Sequence, residues 1–182
     1  MVSTLEWVTI VVAVVLILGW YLSYSAARLD RLHARVESTS AALDAQLVRR
    51  AEATLEVANA GHLDAASGLI LASAAAESLA TVEGDPDREA VESDLTDALH
   101  AALSPITIDA LRAIDEPTAE SLSRIADAGT RVQLARRFHN DAVIDVRRVR
   151  RKTVVRLFRL AGHAELPSTI EFDDELPAGL RA

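Results

Sequence analysis

From Trp7 to Ala27 no residue carries a charge, whereas beyond Arg28 the apolar residues recur every three or four positions. The first pattern belongs to a helix that is apolar all round, the second to helices with one buried face. The uncharged stretch has 21 residues. At about 1.5 Å per residue it reaches roughly 31 Å, the thickness of a bilayer core. Trp7 stands at one end and Trp20, Tyr21 and Tyr24 at the other, as expected for rings seated at the two lipid interfaces. The first six residues contain no Lys or Arg, which argues against the basic start of a cleaved signal peptide.

After the span, Leu32, Val36, Thr39, Leu43, Leu47, Ala51, Leu55 and Ala58 share one helix face. The pattern predicts a helix continuous from the membrane to about Ala60, with Gly61 as its C-cap. A second helix fits Asp64 to about Val82, closed by Gly84. Asp85-Pro86-Asp87 offers a capping residue and a Pro at the first helical position of a third helix, whose face is Val91, Leu95, Ala98 and Ala102. Ser104-Pro105 ends it, and Ile106 to Glu116 reads as a connection with room for one helical turn. Pro117 opens a long final helix reaching Gly162. Its face runs Ile125, Ala128, Val132, Ala135, Phe138, Ala142, Val146, Val149, Leu157 and Leu160, with Gly129 as a weak point. The remainder, with Pro167, Pro177 and the acids Glu171, Asp173, Asp174 and Glu175, reads as extended or disordered. The expected fold is all-α: a short extracytoplasmic segment (1–6), a single transmembrane helix (7–27), an antiparallel four-helix bundle (28–162) and a tail (163–182).

Composition narrows the chemistry. With 7 Gly, 5 Pro and 4% aromatic residues, a β-sandwich or barrel is disfavoured, and the absence of Cys removes disulfides, thiolate nucleophiles and Cys-based metal sites. The net charge of -8 is unevenly placed. From Asp64 to Asp127 there are 14 acids against three Arg, and from Arg131 to Arg159 ten basic residues against Asp141 and Asp145. Arg28, Arg31 and Arg35 follow the span while only Glu6 precedes it, so the positive-inside rule places the N-terminus outside and the bundle in the cytoplasm of the cell. In an up-and-down bundle the last helix returns toward the bilayer, which sets Arg147, Arg148, Arg150, Arg151, Lys152, Arg156 and Arg159 against an anionic inner leaflet. Val154, Val155 and Phe158 are then placed to dip toward the interface. A nucleic-acid role is disfavoured by the acidic remainder and the anchor.

No two of His33, His62, His100, His139 and His163 stand three or four apart, and no phosphate loop, nucleophile elbow or zinc pattern occurs. The His residues read as solvated or capping. Glu89, Glu92, Asp94 and Asp97 read as solvated positions of the third helix. No cofactor, metal, catalytic residue or small-molecule substrate is expected.

Two stretches carry a family resemblance: Asp44-Ala45-Gln46-Leu47-Val48-Arg49-Arg50, and Ala135-Arg136-Arg137-Phe138-His139-Asn140-Asp141-Ala142-Val143. They resemble the I-D-x-Q-L-x-R-R and A-R-x-x-Y-N-x-x-V signatures of the LemA family, in the same order. Ile170-Glu171-Phe172 is similar to that family's aromatic and acidic ending. The chain looks like a divergent, actinobacterial-type member, with Ser40 where the family has Trp, His139 where it has Tyr, and Leu55-Glu56 where it has Pro-Asn. The resemblance implies a membrane-anchored four-helix bundle without established enzymatic activity. Physically, it places Asp44, Gln46 and Arg50 on the first helix and Arg136, Asn140 and Asp141 on the last, able to meet in a polar layer that fixes register. The expected function is a non-enzymatic scaffold or accessory subunit of a membrane assembly, respiratory or transport for example, with other integral membrane subunits as partners. The alternative is a membrane-tethered sensor or enzyme working through Asp44, Arg50, Arg136 and Asn140.

Overall fold

The computed structural model describes residues 4–162 and 165–180. The first three residues of the expected extracytoplasmic segment, and His163, Ala164, Arg181 and Ala182 of the tail, lie outside the described residues. Within them the chain is helix and loop, with no strand: α1 (Thr4–Asn59), α2 (Ala65–Ala80), α3 (Arg88–Ala102), α4 (Pro105–Arg112), α5 (Glu116–Arg150) and α6 (Thr153–Leu157). α1 contains no Pro and only Gly19, so nothing interrupts its 56 residues. Its first part is long and apolar enough to cross a membrane, and Glu6 to Tyr21 are exposed all round. Gly61, at φ 77°, stops it in the left-handed conformation that a side chain resists.

Short caps define the other helices. The Asp64 carboxylate accepts from the backbone N–H groups of Ala66 and Ser67 at 3.1 Å each. Ser104 accepts from Thr107 N at 3.2 Å, and Asp115 from Thr118 N at 2.9 Å. Ser104-Pro105 therefore does not merely end the third helix. It opens α4, a two-turn helix where a connection was expected, because Ser at the N-cap followed by Pro is a helix start. Asp85-Pro86-Asp87 works differently from the expectation. Pro86 stays in the turn, where Asp85 accepts from Asp87 N at 2.9 Å, and α3 begins only at Arg88. The final helix also stops early: α5 ends at Arg150, and α6 is a separate single turn rather than a continuation to Gly162.

The chain divides into two compact units: one takes residues up to Glu37 with Asp141–Ser168, the other takes Ser38–Asn140 with the segment from Thr169 on. In the first, Leu29 is buried with Val149 and Val155, and Leu32, Leu160 and Ala161 pack around them. Arg35 and Asp145 pair at 3.7 Å. In the second, α2 packs on α3, and the main core joins Ala51, Val57, Leu71, Leu95, Leu99, Ile108, Leu122 and Ile125. A smaller cluster joins Leu43, Leu47, Val132 and Phe172. Two positions of the expected α5–α6 face lie outward instead: Phe138 and Leu157 are 50% and 73% exposed.

Residues 165–177 of the tail form neither helix nor strand and 178–180 a turn, yet the tail is packed in place. Phe172, Leu176 and Leu180 are buried in the second unit. Gly129 explains itself here. A Cβ at that position would stand 2.4 Å from Leu176 Cδ2, so the apparent weak point of α5 is the seat of a tail leucine.

Candidate functional site

In the second unit, four charged side chains from α1 and α3 meet, three of them buried and the fourth, Asp44, half-buried at the edge. Arg50, 1% exposed, pairs through Nη2 with Glu92 Oε2 at 2.6 Å and donates through Nη1 to Thr96 Oγ1 at 3.1 Å. Glu92 also accepts from the Ser78 hydroxyl at 2.7 Å and lies 3.3 Å from Arg88 Nε. Arg88 reaches on to Asp44 at 3.0 Å and donates to the Ser78 carbonyl at 2.8 Å. Two guanidinium and two carboxylate groups balance, which is the condition under which buried charge is tolerated. Glu92 is thus a fully buried centre of this network, not the solvated position expected from its place among exposed acids. Its neighbours Leu95, Thr96 and Leu99 are buried with it, since the inward face of α3 is wider than the stripe Val91–Leu95–Ala98–Ala102.

The tail lies over this network. The guanidinium carbons of Arg50 and Arg136 stand over the Phe172 ring, 5.9 Å and 5.4 Å from its centre. Arg136 binds Asp174 through Nε at 2.8 Å and Glu171 through Nη1 at 3.0 Å. Its pKa is raised above the ordinary arginine value, first by the hydrogen bond to Asp174, against the opposing push of burial, and further by the charges of Asp174, Glu171 and Asp173. Asn140 grips Ile170 from both sides, donating to its carbonyl at 3.0 Å and accepting from its N–H at 2.9 Å. The Thr96 hydroxyl donates to Asp173 O at 2.6 Å, linking tail and ionic network.

The predicted polar layer is therefore corrected in its pairing. Asp44 pairs with Arg88, Arg50 with Glu92, and Arg136 and Asn140 with the tail. Gln46 only accepts from Arg49 at 3.5 Å, and Asp141 is exposed in the other unit. Arg50 and Arg136 come together only across Phe172. Arg88 and Glu92 were missed by the sequence reading, although their i, i+4 spacing of opposite charges was visible. A cavity of about 160 Å³ lies elsewhere in the unit, among Glu56, His62, Leu111, Asp115 and Ser121, and includes none of Asp44, Arg50, Arg136 or Asn140. No group of three or more His, Asp and Glu side chains is placed to hold a metal among the described residues. His139 is 4% exposed, so the solvated or capping reading fails for it.

The first unit presents the basic run. Arg148, Arg151, Lys152, Arg156 and Arg159 are exposed, as are Arg28, Arg31 and Arg35 after the span. Arg147 and Arg150 instead donate to the carbonyls of Pro167 at 2.8 Å and Glu165 at 2.7 Å. Val155 does not point outward as expected; it is buried on Leu29, while Leu157 of α6 and Phe158 just after it are exposed. At the span, Trp20 and Tyr24 stack with ring centroids 6.1 Å apart, and Trp7 and Tyr21 are exposed.

No protein-family model, curated protein or solved structure matches this chain. The LemA resemblance accordingly rests on its two motif stretches and the tail, and the site has to be interpreted from its own geometry.

Proposed function

We propose that this chain is a LemA-like, non-enzymatic, single-pass membrane scaffold or accessory subunit, with its N-terminus outside and a four-helix bundle in the cytoplasm. Its partners are the anionic inner leaflet and other integral membrane subunits. The observation that carries the reading is the burial of Leu29 on Val149 and Val155. Leu29 is two residues beyond the uncharged stretch, so this packing ties the α5–α6 junction to the membrane-proximal turn of α1 within one unit. The exposed Arg148, Arg151, Lys152 and Arg156 then lie at the level where anionic headgroups are met, each worth up to about 1 kcal/mol at such a surface. The buried charges of the other unit are paired among themselves, which suits a rigid body for contact better than a site for chemistry.

The test is alkaline carbonate washing of membranes carrying the full chain, followed by protease treatment of intact cells. Retention in the pellet with shielding of everything after Arg28 is expected. Release by carbonate rejects the anchor, and digestion of the helical body from outside rejects the orientation.

A further inference from the structure

The way the tail is held suggests a receptor and its ligand. Between Ile170 and Gly179 the main chain bonds to side chains of the helices, without strand pairing. Asn140 closes both polar groups of Ile170, Ser93 Oγ accepts from Asp173 N at 3.1 Å, and Gln133 donates to Asp174 O at 2.7 Å. His100 Nε2 lies 2.9 Å from Glu175 O, and Arg112 donates to Gly179 O at 3.0 Å. Main-chain contacts of this kind fit any peptide in the same extended path. Side-chain selectivity comes chiefly from the Phe172 slot over Leu43, Leu47 and Val132, from Arg136 with its two carboxylates and from the Gly129 seat for Leu176, with Leu180 buried in the main core at the far end.

We propose that this groove is a docking site for an extended acidic segment of a partner protein, a Phe between carboxylates with Leu four residues on, and that the chain's own Thr169–Leu180 occupies it in cis until displaced. The inference deepens the scaffold reading by naming the chemistry of the segment that docks. Charge complementarity and the seated occupant carry it. Arg50 is held in place by Glu92 and Thr96, which are not part of the tail, while Arg136 takes its charge partners from whichever acidic segment occupies the groove. A trans segment has to compete with a tethered one, so docking is suppressed by the tail's high effective concentration and released when the tail is weakened.

The experiment uses the full chain in lipid nanodiscs and a fluorescent synthetic peptide of residues 168–180. The wild-type chain is expected to bind it weakly. A chain carrying Phe172→Ala and Asp174→Lys in its own tail should bind it at least tenfold more tightly. Adding Arg136→Glu to that chain should abolish binding, and a peptide with Lys at the two acidic positions should restore it. A parallel preparation with a protease site between Gly162 and Pro167 covers the case in which the tail variant fails to fold. After cleavage, excess peptide should displace the native tail, while the Phe172→Ala peptide should not. No exchange in either format, or binding indifferent to Arg136→Glu, overturns the proposal and leaves the tail as a structural strap. Two-copy particles whose formation needs Phe172 overturn it in favour of a second copy as occupant. Membrane extraction is read separately, so loss of the anchor and loss of the groove are distinguishable.

Discussion

The unit formed by Ser38–Asn140 and the tail carries 21 acidic against nine basic residues, a balance of -12, yet Arg50, Arg88 and Arg136 are turned inward or onto the tail. The unit that contains the apolar span carries ten basic against six acidic residues, a balance of +4, and most of its Arg side chains face outward. In one unit the minority charge is used to hold the fold together. In the other the majority charge is left on the surface. Paired, desolvated charge is strongly destabilising to break, whereas exposed charge has little effect on stability and acts through what it meets. The comparison therefore separates residues whose replacement should unfold the protein from residues whose replacement should change only its contacts.

The sharpest test is at Arg50. Arg50→Ala leaves the fully buried Glu92 without its closest cation and should cost about 3–5 kcal/mol. Arg136, bound to two carboxylates but partly exposed, should cost about 1–2, and the exposed Arg112 under about 1. Replacing Arg50 with Met and Glu92 with Leu together should cost less than either single change to Ala. Both Trp and both Tyr lie in the span, so fluorescence is blind to the second unit. Hydrogen–deuterium exchange read by mass spectrometry on the full chain in detergent is the suitable measurement. Equal, small losses of protection for Arg50→Ala and Arg112→Ala would break the comparison.

A second test reaches the tail from the core side. Gly→Ala in a helix ordinarily gains about 1 kcal/mol. At Gly129 the new methyl meets Leu176 at 2.4 Å, so Leu176 has to move, and overpacking should turn the gain into a loss of about 1 kcal/mol. With Leu176→Ala in the same chain the usual gain should return. Destabilisation by Gly129→Ala that persists without Leu176 would mean the glycine serves another purpose.

Much of this organisation is legible in the chain itself. The apolar stretch, its aromatic ends, the Gly61 stop and the apolar stripes of α1 and α3 follow from charge gaps and period alone, because each is set by residues close in sequence; Gly84 does not close α2, which ends at Ala80 with Thr81 as its C-cap. The charge segregation also maps onto the two units. What escapes is whatever depends on partners far along the chain. Glu92 looks like its neighbours Glu89 and Asp94 until Arg50, 42 positions earlier, is placed beside it. The tail looks disordered by composition, yet its acids and its Phe are the complement of Arg136 and Arg50. Gly129 reads as a defect until Leu176 fills it. The break at Arg151 and Lys152 has no Pro or Gly to announce it.

The exposed side of the comparison is tested at that break. Arg151→Glu with Lys152→Glu should change stability by under about 0.5 kcal/mol, as surface substitutions do. In nanodiscs containing anionic lipid, the wild-type α6 should be more protected from exchange than in zwitterionic ones, and the difference should fade as salt is raised. The double variant should show no lipid dependence. Protection that ignores lipid charge would assign the basic run to an acidic protein partner instead.

The smallest effect concerns pH. The Asp115 carboxyl is held below its ordinary pKa of 3.8, first by the Thr118 side-chain hydrogen bond and then by the Thr118 backbone N–H, against an opposing effect of burial, with the charge of His62 the smallest contribution. Asp64 is lowered in the same way by Ser67, through its side chain and then its backbone. A carboxyl whose folded pKa lies below its unfolded one contributes stability that is present above the unfolded value and disappears as pH falls through the folded value. The starts of α2 and α5 should therefore be indifferent to pH down to about 4 and begin to fray below it. Exchange at Ala66, Ser67 and Thr118 amides should speed up over that interval, beyond the intrinsic pH trend. In Asp115→Asn, which keeps a capping oxygen but has no carboxylate to protonate, the α5 start should be slightly less protected at neutral pH and lose the step below pH 4. An unchanged step at Thr118 in that variant would show that acid acts on α5 through another group.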